Sequence, residues 1–125
     1  MKNLFLAILL IFVTFAHANV DESIKTHADA CMSETGAAKD EVMKLKNHDF
    51  SSDDPKTKCF AKCFCVKAGL CDSNLNMVVA KVEDHIPPEQ KHKVEDATKK
   101  CDTTTGADPC DTVYSKFRCF FKELQ

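Results

Sequence analysis

The stretch CFAKCFC, residues 59–65, places three cysteines within seven positions of a predicted helix. Cys59 and Cys63 are four residues apart, so a helix puts them on one face, whereas Cys65 lies about 200° around the axis from Cys63. The three cysteines therefore cannot share one bonding partner. The two on one face can link this helix to two different neighbouring helices, and Cys65 needs a partner elsewhere.

The end of the same helix points to a partner for Cys65. Gly69 is the predicted helix stop, and a chain that reverses there in a Schellman-type turn returns toward the last helical turn. Cys71 follows that reversal directly, so a local bridge between Cys65 and Cys71 fits the pattern. The spacing alone leaves the geometry of this bridge open.

The N-terminus decides how cysteines at this spacing are interpreted, because the secretory route favours disulfides and a reducing compartment favours metal sites. Lys2 precedes a run from Leu4 to Phe15 in which ten of twelve residues are strongly apolar, and Ala16-His17-Ala18 follows as a small-x-small cleavage site. Residues 1–18 are therefore predicted to be a secretory signal peptide, and residues 19–125 a single extracellular domain. No later segment has the apolar length that a membrane-spanning helix needs, so stable membrane insertion is not expected.

The predicted secreted part is short and carries little net charge. It keeps 107 of the 125 residues and all eight cysteines, with 16 Lys or Arg against 19 Asp or Glu. Acidic and basic residues are interspersed without a basic stripe, which argues against nucleic acid or an anionic membrane as a partner. Eight cysteines in an exported domain of this size predict four disulfides.

Proline, glycine and apolar periodicity divide the domain into short helices. Asp54 and Asp108 each precede a proline, which is the pattern of an N-cap followed by the first helical residue. Alternating strand patterns of useful length are absent, and apolar residues recur at helical spacing. The predicted fold class is all-α, with helices at 20–35, 39–47, 55–68, 74–84, 88–101 and 110–122.

The spacing of six of the cysteines is distinctive. The gaps of 27, 3, 37, 8 and 8 residues separate Cys31, Cys59, Cys63, Cys101, Cys110 and Cys119. In a helical secreted chain this pattern resembles the signature of the insect odorant-binding and pheromone-binding protein family. The resemblance implies a compact six-helix domain around an apolar cavity, with disulfides Cys31–Cys63, Cys59–Cys110 and Cys101–Cys119. Cys65 and Cys71 fall outside the pattern and, as an even and nearby pair, are predicted to form an added local staple.

The family resemblance also implies a function. The three implied disulfides close loops of about 33, 52 and 19 residues, each worth roughly 3–4 kcal/mol in the chain-entropy model, so the domain can tolerate an internal cavity. The expected protein is a secreted carrier that binds and solubilises small hydrophobic molecules such as odorants, pheromones or similar semiochemicals. No catalysis and no cofactor are expected. A chemosensory receptor is a further expected partner, and the expected state is a monomer or weak dimer.

The apolar stripes supply the candidates for the pocket wall, although solid core is the default role of apolar residues at helical spacing. The resemblance implies a cavity lined from several helices, including the last. Tyr114, the single tyrosine, either offers its hydroxyl to a polar group of the ligand or lies on the helix surface. The ten candidate wall residues are Leu45, Phe60, Phe64, Met77, Val78, Val82, Ala97, Val113, Phe117 and Phe121.

His85 and His92 flank the Pro87-Pro88 pair. Like the other histidines of the predicted domain, both are expected to be solvated. The alternative is that one of them gains charge near pH 6 and loosens the pocket in acid.

Other protein classes fit the sequence less well. A zinc site within residues 59–71 would lack the paired C-x-x-C form. A phospholipase-like role for His48-Asp49 would need a glycine-rich calcium loop, and the chain has only three glycines, none clustered. Saposin-like proteins place their cysteines as pairs near the two chain ends. The alternative that stays open is a secreted seminal, salivary or venom component that binds a protein through its surface and keeps only a vestigial pocket.

Overall fold

Six α-helices follow one another along residues 22–125, the part of the chain that the computed structural model describes. The predicted signal peptide lies outside the described residues. Within them no strand forms, and no helix is long and apolar enough to cross a membrane. The predicted all-α class is confirmed. The helices are α1 (22–35), α2 (Lys39–Lys46), α3 (Pro55–Lys67), α4 (Val79–Glu83), α5 (Lys91–Cys101) and α6 (Pro109–Leu124), with a 3-10 turn at Pro88–Gln90 before α5.

The predicted N-caps of α3 and α6 are confirmed. Asp54 Oδ1 accepts a hydrogen bond from the backbone N–H of Lys56 at 3.0 Å, and Asp108 Oδ1 accepts one from that of Asp111 at 2.8 Å. Each cap satisfies one of the backbone donors that a helix start leaves without a partner. The carboxylate of Asp111 accepts further bonds from the Ala107 N–H and from Lys58, and these lower its pKa.

The predicted chain reversal after α3 is also present. Gly69 has a φ of 74°, a left-handed conformation that glycine adopts without steric cost. The backbone N–H groups of Leu70 and Cys71 both donate to the carbonyl of Cys65, at 2.8 and 3.0 Å. This turn brings Cys71 back to the last helical turn, next to Cys65.

The prediction that the fourth helix begins at residue 74 is wrong, because α4 begins only at Val79. Asp72 Oδ1 accepts hydrogen bonds from the backbone N–H groups of Asn74 and Asn76, at 2.9 and 3.0 Å, and Leu75 has a φ of 65°. A short polar side chain that bonds the backbone in this way offers an alternative to the helical ladder. Residues 71–78 therefore form a turn. An isolated antiparallel β-bridge between the backbones of Cys71 and Met77 closes it.

Four disulfides contain all eight cysteines. Cys31–Cys63 joins α1 to α3, Cys59–Cys110 joins α3 to α6, and Cys101–Cys119 joins α5 to α6. Cys65–Cys71 closes a short ring at the end of α3. This is the pairing that the family resemblance implied, together with the added local staple. Because every thiol is oxidised, none is available as a zinc ligand.

The apolar core consists of two clusters on either side of α3. The smaller cluster lies between α1, α2 and α3, and its buried members are Cys31, Ala37 and Phe60. The larger one joins the end of α3 to α4, α5 and α6. Phe64 packs against both clusters, so α3 is the element that connects the two halves of the domain.

Candidate functional site

A depression of about 450 Å³ lies where α1, the end of α3 and α4 meet. α1 contributes one wall, α4 and the turn after it contribute the other, and the C-terminal cap of α3 lies between them. This volume is within the range of small-molecule sites in proteins. The lining residues are Ser23, Ile24, His27, Ala68, Lys81, Asp84 and His85.

The lining residues come from one side of α1, from the end of α3, and from α4 with the turn that follows it. Positions 23, 24 and 27 of α1 fall within about one turn and share one side of that helix, whereas Lys81 lies on α4 and Asp84 and His85 lie in the turn that follows it. Ile24 and Ala68 are half-buried and supply apolar surface, whereas Lys81, Asp84 and His85 are exposed. The site thus combines an apolar floor with a polar rim.

Two disulfides brace the walls of this depression. Cys31–Cys63 fixes α1 against α3, and Cys65–Cys71 closes the ring of residues that contains Ala68. A wall tied by covalent bonds resists collapse onto empty space. The depression is therefore part of the braced framework of the domain.

The rim carries more hydrogen-bond donors than acceptors. Lys81 donates only, His27 and His85 each donate at least one ring N–H, and Asp84 is the one carboxylate. The ion pairs formed within residues 22–125 involve five other lysines, so Lys81 has no carboxylate partner there. A ligand group that accepts hydrogen bonds, above all an anionic one, matches this rim. The described part of the chain contains no group of three side chains that could hold a metal ion.

A second depression, of about 200 Å³, lies between α5 and α6. Its lining is almost entirely charged or polar, and Ala97 is its single apolar member. His92, one of the two titratable candidates, lies here, whereas His85 lies in the larger depression. The smaller depression suits an apolar ligand less well than the larger one.

The ten predicted wall residues are divided between the packed core and its edge. None of them lines the larger depression, and their role as ligand contacts stays a prediction. Nine of the ten belong to the two core clusters or pack against them, and Val78 does neither. Phe60, Met77, Val82, Ala97 and Val113 are buried, whereas Leu45, Phe64, Val78, Phe117 and Phe121 are half-buried.

Phe117 and Phe121, two of the three candidates on α6, are covered by the loop between α2 and α3. The ring of Phe50 lies 5.5 Å from that of Phe121 and 6.5 Å from that of Phe117, nearly parallel to both. His48 stacks on Phe121 with ring centroids 4.0 Å apart. On the side that faces the α2–α3 loop, Phe117 and Phe121 therefore contact aromatic rings of the protein itself.

Tyr114 takes neither of its two expected roles. It is fully buried, and its hydroxyl accepts a hydrogen bond from the backbone N–H of Ser52 at 3.0 Å. The guanidinium of Arg118 lies 5.1 Å from its ring centroid, and the same side chain donates through Nε to the carbonyl of Phe50 at 3.2 Å. Tyr114 therefore anchors the α2–α3 loop on α6.

The residues of the larger depression were missed by the sequence prediction for a physical reason. Ser23, Lys81 and Asp84 are ordinary polar residues of helix surfaces, and Ala68 is a small residue at a helix end. The one signal in the sequence is helical spacing, which groups Ser23, Ile24 and His27 on one side of α1 but does not say what that side meets.

A family model and two fly proteins that resemble this chain indicate the same family. A family model described as the PBP/GOBP family matches residues 15–123. General odorant-binding protein 56a of Drosophila melanogaster is 34% identical over 99 residues, which cover 77% of this chain and 69% of that protein. General odorant-binding protein 69a of the same fly is 31% identical over 90 residues, which cover 72% of this chain but only 61% of that relative.

A solved structure shares both the fold and part of the sequence. It is described as the fatty acid binding protein OBP56a from the oral disk of the blowfly Phormia regina. The identity is 33% and the TM-score 0.69, and the match covers 84% of this chain and 91% of that one.

Proposed function

Because the chain belongs to the PBP/GOBP family, we propose that it is a secreted carrier that binds a small hydrophobic molecule in the depression between α1, α3 and α4. The observation that carries the proposal is this depression of about 450 Å³, with apolar surface at Ile24 and Ala68 and with walls braced by disulfides. Binding moves an apolar molecule out of water, and no covalent step is needed.

The expected affinity follows from the area that such a ligand can bury. At roughly 25 cal/mol per Å², burial of about 300 Å² of apolar surface contributes about 7 kcal/mol. The loss of translational and rotational freedom offsets part of this gain. A dissociation constant in the micromolar range is therefore expected.

A fatty acid of medium chain length is the ligand class that we favour. The blowfly protein, similar over most of its length, is named a fatty acid binding protein. In this chain the hydrocarbon would lie over Ile24 and Ala68, and the carboxylate would meet the donors of the rim, above all Lys81.

Secretion and delivery to a partner are part of the proposal. The predicted signal peptide over residues 1–18 and relatives named as odorant-binding proteins support an extracellular carrier that transfers its ligand to a chemosensory receptor. A monomer suffices for this role, because the depression is formed by one chain.

Replacement of Ser23 by Trp is expected to weaken binding of a neutral naphthalene-type fluorescent probe at least tenfold, a loss of about 1.4 kcal/mol. Ser23 is exposed and lines the depression, so an indole there takes the space of the ligand without disturbing the core. Titration of the probe in lipid-free buffer measures the effect.

Ser33→Trp is the matched control, because Ser33 is an exposed serine of the same helix that lies outside the depression. Its affinity should equal that of the unsubstituted protein. If S23W and S33W bind the probe equally well, the ligand site is elsewhere. If the unsubstituted protein binds no probe at all, the carrier proposal fails and the alternative of a surface-acting secretion product is favoured.

Replacement of Lys81 by Gln is expected to weaken binding of decanoic acid about threefold and to leave methyl decanoate unchanged. The exposed ammonium contributes no more than an exposed ion pair does, about 0.2–1 kcal/mol. Displacement of the probe at pH 7.5 and low ionic strength measures both ligands. The difference should shrink in 1 M salt, where the Debye length falls to about 3 Å.

The control for this experiment is Lys39→Gln, which removes one charge from an exposed position outside both depressions. Equal loss of acid binding in both variants would assign the effect to net charge. Equal binding of acid and ester by the unsubstituted protein would rule out the anionic ligand class while leaving the carrier proposal intact.

A further inference from the structure

The segment between α3 and α4, residues 68–78, is fastened at its base. The Cys65–Cys71 disulfide ties it to the last turn of α3. The backbone N–H of Val78 donates to the carbonyl of Leu70 at 2.8 Å, and that of Asp72 donates to the carbonyl of Asn76 at 2.9 Å. The segment is therefore a closed turn rather than a free connection.

A buried lysine fastens the tip of the same segment. Lys116 of α6 is only 5% exposed, and its Nζ donates to Asn76 Oδ1 at 2.9 Å and to the carbonyl of Leu75 at 3.3 Å. Burial of an ammonium group is costly unless its hydrogen bonds are made. The two acceptors on the turn must therefore stay close to Lys116, which holds the turn against α6.

This doubly fastened turn leads directly into one wall of the depression. α4 begins at Val79 and has only five residues, too few for an isolated helix to be stable in water. Its position is set by what it packs against and by the segment before it. Lys81 lies on α4, and Ala68 lies inside the ring that Cys65–Cys71 closes.

We propose that the Cys65–Cys71 disulfide and Lys116 are positioning groups of the ligand site, which hold α4 and Ala68 in the arrangement that a ligand needs. The inference rests on the proposed carrier function. If the wall is already ordered in the free protein, ligand binding carries no entropy cost for ordering it. Loss of either fastening therefore lowers ligand affinity, even where the ligand touches neither group.

The test compares two variants that each lack one disulfide. C65A/C71A removes the staple beside the depression, and C101A/C119A removes a bridge between α5 and α6, none of whose residues line the depression. The sequence separations are 6 and 18, so the second variant loses more stability in the chain-entropy model. A purely structural role would therefore make C101A/C119A the worse binder.

The positioning role predicts the opposite order for ligand affinity. C65A/C71A should bind the fluorescent probe roughly tenfold more weakly than the unsubstituted protein, and C101A/C119A should stay within about twofold of it. Amide hydrogen exchange over residues 79–83 should rise in the first variant and not in the second. Unchanged affinity in C65A/C71A, or losses that follow the loss of stability in both variants, would overturn the inference while the carrier function stands. Absence of probe binding by the unsubstituted protein would overturn both.

Lys116→Met tests the second fastening, because methionine keeps most of the buried stem and removes the donors. We expect about a threefold loss of probe affinity, with faster exchange over residues 72–76. Lys100→Met is the control, since Lys100 is exposed and pairs with Glu123 away from the depression. Equal affinity of K116M and K100M would remove Lys116 from the proposal.

Discussion

Replacement of both Cys59 and Cys110 by alanine is expected to lower the free energy of unfolding by about 4 kcal/mol. This disulfide joins α3 to α6 and has the largest sequence separation of the four, 51 residues. Without it the unfolded chain gains the freedom of a long loop, and in the folded protein the two helices lose their covalent link. Because the net stability of a domain is about 5–15 kcal/mol, the loss is a large fraction of the total.

Denaturant unfolding followed by circular dichroism measures this loss. The matched variant is C65A/C71A, whose disulfide closes a ring with a sequence separation of only 6 and should cost about 2 kcal/mol. We expect the midpoint to fall further for C59A/C110A. Equal midpoints for the two variants would show that loop length does not govern the contribution of these disulfides.

Replacement of Tyr114 by alanine is expected to cost about 4 kcal/mol. The side chain is fully buried, and its ring meets that of Phe50 edge-on at 5.5 Å. Truncation leaves a cavity beneath the α2–α3 loop and removes the acceptor of the Ser52 N–H. The loop would lose its anchor, so Phe50 should become more exposed.

Tyr114→Phe separates the two contributions, because it keeps the ring and removes the hydroxyl. We expect this variant to lose about 1 kcal/mol, the usual net worth of one hydrogen bond. Thermal unfolding and hydrogen exchange over residues 47–54 would report both changes. A Y114A variant within 1 kcal/mol of the unsubstituted protein would contradict the anchoring role of Tyr114.

The four disulfides differ in how they could be predicted from the sequence. Helical spacing placed Cys65 on a different face of α3 from Cys59 and Cys63. The predicted chain reversal at Gly69 then indicated Cys71 as the partner of Cys65. The three long-range disulfides were predicted from the family resemblance. A pairing between cysteines tens of residues apart produces no pattern in the neighbouring sequence that would identify it. Sequence patterns alone allow 105 pairings of eight cysteines.

The proposed ligand site shows what could not be predicted from the sequence. Apolar periodicity correctly selected inward-facing residues such as Phe60 and Val113, but it does not separate a cavity wall from solid core. The start of α4 was missed because the Asp72 side chain competes with the helical hydrogen bonds.

The amino-acid sequence by itself determined the all-α class, the caps at Asp54 and Asp108, and the reversal at Gly69, because each depends on residues within one or two turns of each other. Only the tertiary structure decided that α1 and α4 converge around Ala68, that Phe50 covers the aromatic face of α6, and that Lys116 holds the turn before α4. These contacts join residues tens of positions apart, and their geometry depends on how all the helices pack at once.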